Sequence, residues 1–263
     1  MELEQSFDAL TEAGLGVVAI SYDRVEILRS FADRHGGFHY SMLSDTDSKI
    51  IDAFGIRNVN HAEGMFGYGI PFPGTYIVNA DGVVRAKFFI QPHNQRYTAD
   101  TILIKTLGVG GGRRTEVQLP QFKFVAYASQ DTVRPGNHFL LVADIELPDR
   151  MHLYAPGSDY TPVDLSIVDN PALREGALEL PEPEILYLDV IDESVPVYLH
   201  KVRIQREVTL APRHSAGTIR VAATLSYQTC DDEICFPPAK FPLTFDLDVI
   251  SLDRQRAPEE IRH

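Results

Sequence analysis

The chain has 263 residues, enough for two domains that each bury a core. A formal net charge of −13 excludes a nucleic-acid binder, because phosphate recognition rests on clustered Lys and Arg. No apolar run approaches the roughly 18–20 residues of a membrane span. The opening Met-Glu-Leu-Glu-Gln has neither the basic nor the apolar region of a secretory signal.

Residues 2–13 place Leu3, Phe7 and Leu10 on one face ahead of Gly14, which predicts an amphipathic helix with a glycine C-cap. The apolar run Leu15–Ile20 is too short for a helix and does not alternate, as in a strand of a parallel sheet covered on both faces. A second helix is predicted from about Arg24 to His35, stopped by Gly36-Gly37. Ser44-Asp45 offers caps for a third helix through Ile50, Ile51 and Phe54. Gly74–Val78 and Val83–Ile90 flank Asn79-Ala80-Asp81-Gly82, the pattern of a β-hairpin. A last helix is predicted from Tyr97 to Leu107, ending at Gly108.

With these stretches in hand, the first part resembles the thioredoxin-like redoxins, the branch holding the AhpC-type (AhpC/TSA) peroxiredoxins. The matching residues are Gly16-Val17-Val18-Ala19-Ile20-Ser21, Leu43-Ser44-Asp45, Ala53-Phe54-Gly55-Ile56 and Gly69–Gly82. In that family the catalytic cysteine follows the first core strand, near the start of the helix that would end here at Gly14. The resemblance therefore implies an α/β thioredoxin-like domain over 1–107 that is N-terminally incomplete, with its first core strand missing. It also implies no peroxidase activity for this chain, which has no cysteine before Cys230. Two origins stay open: a start set too late or a trimmed chain, or a natural product whose strands close up differently. The first is favoured, because omitting a central strand exposes two rows of backbone donors and acceptors. The family's proline that is cis before the hairpin matches Pro73, and a trans turn proline shared with Pro71 is the alternative.

Residues 108–115, Gly108-Val109-Gly110-Gly111-Gly112-Arg113-Arg114-Thr115, read as a flexible linker. A phosphate-binding loop needs a Lys followed by Ser or Thr at the mouth of a helix, and two arginines stand here instead.

From Val117 the pattern changes to β-branched and alternating runs broken by Pro, Gly, Asn and Asp. Examples are Phe139–Ala143, Leu165–Ile167, Val197–Leu210, Thr218–Tyr227 and Phe241–Ile250. Several short strands without a helix predict an all-β immunoglobulin-like sandwich over 116–252, followed by a polar tail, 253–263. The two cysteines of the chain, Cys230 and Cys235, are predicted to flank a hairpin turn, Asp231-Asp232-Glu233-Ile234. Such a turn can bring the α-carbons within the ~4.4–6.8 Å that a disulfide spans. The loop is too short for a large entropic stabilisation, which favours reversible exchange over a staple. Acidic neighbours are expected to raise the thiol pKa values, making the pair an electron acceptor and donor for a more reactive thiolate. A structural disulfide, metal ligation or inert thiols are the other readings. Zinc is disfavoured because no second Cys pair or His pair accompanies these two, and no metal or cofactor is expected. His35 and His39 are separated by the helix-breaking Gly36-Gly37 and read as surface residues.

The stretch Leu225-Ser226-Tyr227-Gln228-Thr229-Cys230 through Cys235-Phe236-Pro237-Pro238 resembles the N-terminal domain of the DsbD family of bacterial thiol-disulfide interchange proteins. Met151-His152-Leu153-Tyr154-Ala155-Pro156 and Val197-Tyr198-Leu199 add to the likeness, falling where that family has its early and middle strands. The resemblance implies a redox-active disulfide at Cys230 and Cys235. It implies as partners a thioredoxin-like or membrane-embedded thiol-disulfide reductase on one side and oxidised extracytoplasmic proteins on the other, hence an extracytoplasmic, periplasmic location. It also implies a cap loop, here Leu188, Asp189, Val190, Ile191, Asp192 and Glu193, in which the family's usual aromatic residue has no counterpart. Packing in the sandwich is the expected role of at least two of Tyr154, Tyr198 and Tyr227. The sequence thus points to a thiol-disulfide oxidoreductase. The alternatives are a non-catalytic binding module with a structural disulfide, or a fragment of a hydroperoxide reductase whose catalytic cysteine lies upstream of Met1.

Overall fold

The structure, a computed structural model, describes all residues except 1, 61, 62, 66, 67, 91–93, 189–191, 253–258 and 260–263. The chain divides into two compact units, Met1–Gly110 with Leu252–His263, and Gly111–Ser251. All but one of the residues of the predicted polar tail lie outside the described residues.

The first unit contains α1 (Glu2–Gln5), α2 (Phe7–Glu12), β1 (Val18–Ser21), α3 (Val25–Arg34), β2 (Ser41–Ser44), α4 (Lys49–Ala53), β3 (Gly74–Val78), β4 (Val84–Phe89), β5 (Arg96–Tyr97) and α5 (Ala99–Leu107). Local chemistry accounts for the ends of several elements. The Asp45 carboxylate accepts from the backbone N–H groups of Ile50 and Ile51 at 3.0 and 2.8 Å, capping α4. Thr98 caps α5 by accepting from Thr101 N–H at 3.1 Å, and Gly108 closes that helix at φ 70°. Leu10 on α2 buries its side chain with Ala99 and Leu103 of α5. The β3–β4 hairpin forms as the turn residues dictate, with the Asn79 side chain accepting from Val83 N–H at 2.8 Å and Gly82 at φ 78°.

Strand β1 pairs in parallel with β2, and β3 pairs with β4; among the described residues no ladder joins the two pairs. Strand β2 was not predicted, because Ser41-Met42-Leu43-Ser44 shows neither a β-branched run nor a flanking turn pair on both sides. The expected covering of β1 on both faces is not observed: Val18 is 58% and Ile20 44% exposed.

The second unit is all-β. Its strands are β6 (Arg114–Gln118), β7 (Lys123–Ala128), β8 (Thr132–Val133), β9 (Asn137–Glu146), β10 (His152–Tyr154), β11 (Asp164–Ile167), β12 (Leu173–Glu179), β13 (Glu184–Leu188), β14 (Glu193–Leu199), β15 (Lys201–Leu210), β16 (Gly217–Tyr227), β17 (Thr229–Cys230) and β18 (Ala239–Val249). Strand β6 begins inside the stretch read as linker. Two large sheets, ordered β12-β15-β9-β7-β6 and β11-β16-β18-β8, enclose the main core, and a third sheet runs β13-β14-β10-β17. Period-two burial dictates the packing. Val202, Ile204, Val208 and Leu210 of β15 point inward, as do Ile219, Val221, Ala223 and Leu225 of β16 and Leu243, Phe245, Leu247 and Val249 of β18. Strand β9, in the middle of its sheet, is buried along most of its length.

At the inward position 206 of β15 the chain places an arginine instead of an aliphatic residue. Its guanidinium donates to the carbonyls of Leu165 at 2.6 Å and Gly176 at 2.9 Å, and to Asp164 Oδ1 at 2.7 Å. These bonds tie β11 and β12 to β15 and satisfy a charge that burial would otherwise penalise.

Candidate functional site

The strand read over Thr218–Tyr227 does not run on into Cys230: the ladder breaks at Gln228. Strand β16 stays in one large sheet, while β17 crosses to the third sheet and pairs with β10, His152 opposite Cys230 and Leu153 opposite Thr229. The Gln228 side chain holds the crossing point from both ends: its Oε1 accepts from Thr161 N–H at 3.1 Å and its Nε2 donates to the Phe236 carbonyl at 3.2 Å. Cys235 forms an isolated antiparallel bridge with Cys230, and β18 begins only at Ala239. Pro237 and Pro238 explain the delay, since neither can donate to a ladder.

Cys230 and Cys235 are joined in a disulfide with their α-carbons 4.1 Å apart. The two sulfurs sit in different surroundings. Cys230 is 1% exposed and belongs to a small cluster with Tyr154, Val195 and Val197, whereas Cys235 is exposed. The Tyr154 hydroxyl donates toward both sulfurs, at 3.1 Å to Cys230 and 3.6 Å to Cys235. A disulfide sulfur has no proton to give, so the phenol is the donor. Burial, followed by the charges of Tyr160 and Glu193, pushes the Tyr154 phenol up to about 12, so it stays protonated at neutral pH. Its ring stacks on Tyr160 with centroids 4.1 Å apart and planes at 11°, which fixes where the hydroxyl points.

The acidic turn is less repulsive than its composition suggests. The Asp231 carboxylate accepts from the N–H groups of Glu233 and Ile234 at 2.8 and 2.7 Å, and these bonds hold its pKa below the usual carboxylate range. Asp232 forms a direct hydrogen-bonded ion pair with Arg150. The charge beside the cysteines is thus partly spent on building the turn and partly offset by one arginine.

Among the predicted cap-loop residues, Asp189, Val190 and Ile191 lie outside the described residues. Leu188 ends β13 and packs against the Tyr154–Cys230 cluster, Asp192 has a φ of 56°, and Glu193 opens β14. Pro73 directly precedes β3 in the first unit. Of the three tyrosines singled out, Tyr154 reaches the sulfurs, while Tyr198 and Tyr227 pack in the main core. His39 pairs with Glu4, and His35 lies edge-on to Phe31. No group of three or more His, Cys, Asp or Glu suited to a metal ion occurs among the described residues. Arg150, His152, Tyr160 and Gln228 are site neighbours that sequence reasoning did not single out. The one available signal was the block Met151–Pro156, whose alternation places His152 and Tyr154 on one face.

Residues 121–244 match the family model described as thiol:disulfide interchange protein DsbD, N-terminal. Residues 1–87 match the AhpC/TSA family. The chain joins an AhpC/TSA-like segment to a DsbD N-terminal-like domain. The second unit is all-β, built of packed sheets, and a disulfide-bonded pair in it supports thiol-disulfide exchange. The thioredoxin-like character of the first unit rests on the AhpC/TSA match. A search of curated proteins finds no match. Similar solved structures include the Neisseria meningitidis DsbD N-terminal domain in its reduced form, at 15% identity over 41% of this chain and 77% of that one, TM-score 0.31. The N-terminal periplasmic domain of ScsB from Proteus mirabilis is 14% identical over 51% of this chain and 49% of that one, TM-score 0.36. A third is the complex between the DsbD N-terminal and PilB N-terminal domains of N. meningitidis, at 16% identity over 41% and 73%, TM-score 0.29. No helix among the described residues is long and apolar enough to cross a membrane.

Proposed function

We propose that this chain relays electrons by thiol-disulfide exchange through Cys230 and Cys235, and that Cys235, the exposed cysteine of the pair, is where a partner attacks. The carrying observation is the asymmetry of the bond. An incoming thiolate must approach one sulfur along the S–S axis and expel the other. Cys235 is open to solvent; Cys230 is buried beneath Tyr154, whose hydroxyl is aimed at the charge that develops on the departing sulfur. Attack at Cys235 forms a mixed disulfide there and leaves Cys230 as the thiolate, and the return step closes Cys230 back onto Cys235. Leu188, packed against the Tyr154–Cys230 cluster, shields the pair in this reading. Electrons enter from a thioredoxin-like or membrane-embedded reductase and leave to oxidised extracytoplasmic proteins, so the domain works in the periplasm. In the first unit, over residues 1–107, the AhpC/TSA-like segment serves as a thioredoxin-like scaffold with Pro73 at the cis-proline position, joined through residues 108–115 to the sandwich of 116–252.

The test is the reduction potential of the cysteine couple, read by thiol trapping across a glutathione series. A midpoint between about −180 and −280 mV places the pair among exchangeable relays. A disulfide that stays closed well below about −300 mV is a structural staple and refutes the reading.

A further inference from the structure

His152 is 2% exposed, and its Nε2 is buried with no hydrogen-bond partner. Leaving such an atom unpaired forfeits its hydration with nothing in return, so its presence calls for a reason. In the ladder between β10 and β17 this residue stands directly opposite Cys230, and directly opposite residues project to the same side of the sheet. Tyr154, two residues along β10, shares that face and meets the imidazole edge-on, with centroids 5.3 Å apart. Thus one face of the third sheet carries Cys230, the phenol that touches it, and an imidazole with a free nitrogen.

The exchange cycle needs a proton acceptor at that place. When Cys235 has attacked a partner's disulfide, the reaction waits on Cys230, which at 1% exposure has no bulk water beside it to carry off its proton. A thiol is a poor nucleophile; its proton must go somewhere before the sulfur can close the bond. Tyr154 cannot take it, since its own proton stays in place to about pH 12. The Asp231 carboxylate is held by two backbone N–H groups, and Asp232 by Arg150, which Glu233 also approaches at 3.8 Å. Glu193 bears on Tyr154, and Leu199, opposite His152 on β14, brings no charge.

We propose that His152 accepts the proton of the Cys230 thiol when the disulfide closes, and returns it when the disulfide opens. The inference rests on the thiol-exchange reading. In the closing step, Nε2 takes the proton from Cys230 S–H, and the resulting thiolate bonds to Cys235 Sγ. The Cys235–partner bond breaks with its electron pair on the partner sulfur, and the imidazolium passes its proton to that thiolate or to water. The cysteine pair is oxidised by two electrons and the partner disulfide is reduced. Burial depresses the His152 pKa, opposed by the charges of Asp232 and Asp231, so the imidazole is neutral at pH 7 and has an open lone pair.

The experiment uses the reduced full chain and the aromatic disulfide DTNB. Attack by Cys235 releases one thionitrobenzoate, and closure by Cys230 releases the second. His152→Phe is expected to leave the first phase unchanged and to slow the second by about tenfold or more at pH 7. The wild-type second phase should show an inflection in the histidine range that is lost in the variant. His152→Gln, which keeps a polar group without a titratable nitrogen, should behave like the Phe variant; rescue of the rate by Gln overturns the proposal. If neither variant folds, the wild-type His152 titration followed by NMR decides: it must differ between oxidised and reduced chains, and identical curves overturn the proposal. A wild-type chain that releases no second equivalent removes the exchange reading as well. Normal wild-type release together with an unaffected His152→Phe removes the proposal alone.

Discussion

Replacing Tyr154 with Phe deletes one oxygen at the most sensitive point of the molecule and little else. The ring still stacks on Tyr160 at 4.1 Å and still meets His152 at 5.3 Å, so packing is retained. What disappears is the donor 3.1 Å from Cys230 Sγ and 3.6 Å from Cys235 Sγ. Against the closed disulfide that bond is weak, because a neutral sulfur is a poor acceptor. As an attacking thiolate expels Cys230, negative charge builds on a buried sulfur and the same bond becomes charge-assisted, worth about 1.5–3 kcal/mol. The gain is realised mainly in the transition state, so its loss appears as a rate, roughly tenfold to hundredfold. The assay is reduction by excess dithiothreitol, sampled by acid quench and alkylation, since the chain has no tryptophan to report the bond by fluorescence. Thermal stability of the oxidised variant should fall by no more than about 1 kcal/mol. A variant reduced within twofold of the wild-type rate would refute the assignment of Tyr154 to the leaving sulfur.

Three further outcomes follow from the same structure. Cys230→Ser, which leaves the exposed Cys235 free, should trap a lasting mixed disulfide with a thioredoxin-like partner, detectable by non-reducing electrophoresis, whereas Cys235→Ser should trap little. Arg206→Ala removes the donor to Leu165, Gly176 and Asp164 and should cost about 3 kcal/mol in urea unfolding, near the low end for a broken buried pair because Asp164 is itself about a third exposed. Burial lowers the folded-state pKa of both His138 and His152 below the unfolded value near 6.5. Their stabilisation is therefore complete above about pH 6.5 and is lost as pH falls below it, at up to about 1.4 kcal/mol per pH unit for each histidine. Unfolding curves between about pH 6.5 and 5.5, above the range where ordinary carboxylates titrate, should show this slope, and His152→Phe should reduce it.

The elements that could be read from the sequence are those whose cause is local. The hairpin over Gly74–Phe89 follows from Asn79 and Gly82, the end of α5 from Gly108, and the sandwich strands from period-two burial in β15, β16 and β18. The cysteines were legible as a pair because five positions separate them. The site around them was not, because its parts meet through pairings distant along the chain. Tyr154 lies 76 positions from Cys230, and Arg150 lies 82 from Asp232. No window of local periodicity holds that information. The break at Gln228 was hidden for a related reason. Thr218–Thr229 alternates like one strand, and only the bonds of Gln228 to Thr161 and Phe236 show where the backbone leaves one sheet for another.

That break is also what sets the two cysteines apart. Had β16 run straight through Cys230 into a regular hairpin with β18, both cysteines would lie on one ladder, with alternation alone deciding their exposure. By crossing at Gln228 the chain carries Cys230 into the third sheet, under Tyr154 and beside Val195 and Val197, while Pro237 and Pro238 keep the Cys235 side out of a ladder until Ala239. One cysteine is thereby buried against a hydrogen-bond donor and the other is left exposed. A staple gains nothing from that inequality, since its work is done by the bond alone. An exchanging disulfide needs it, because one sulfur must be reachable and the other must be able to leave.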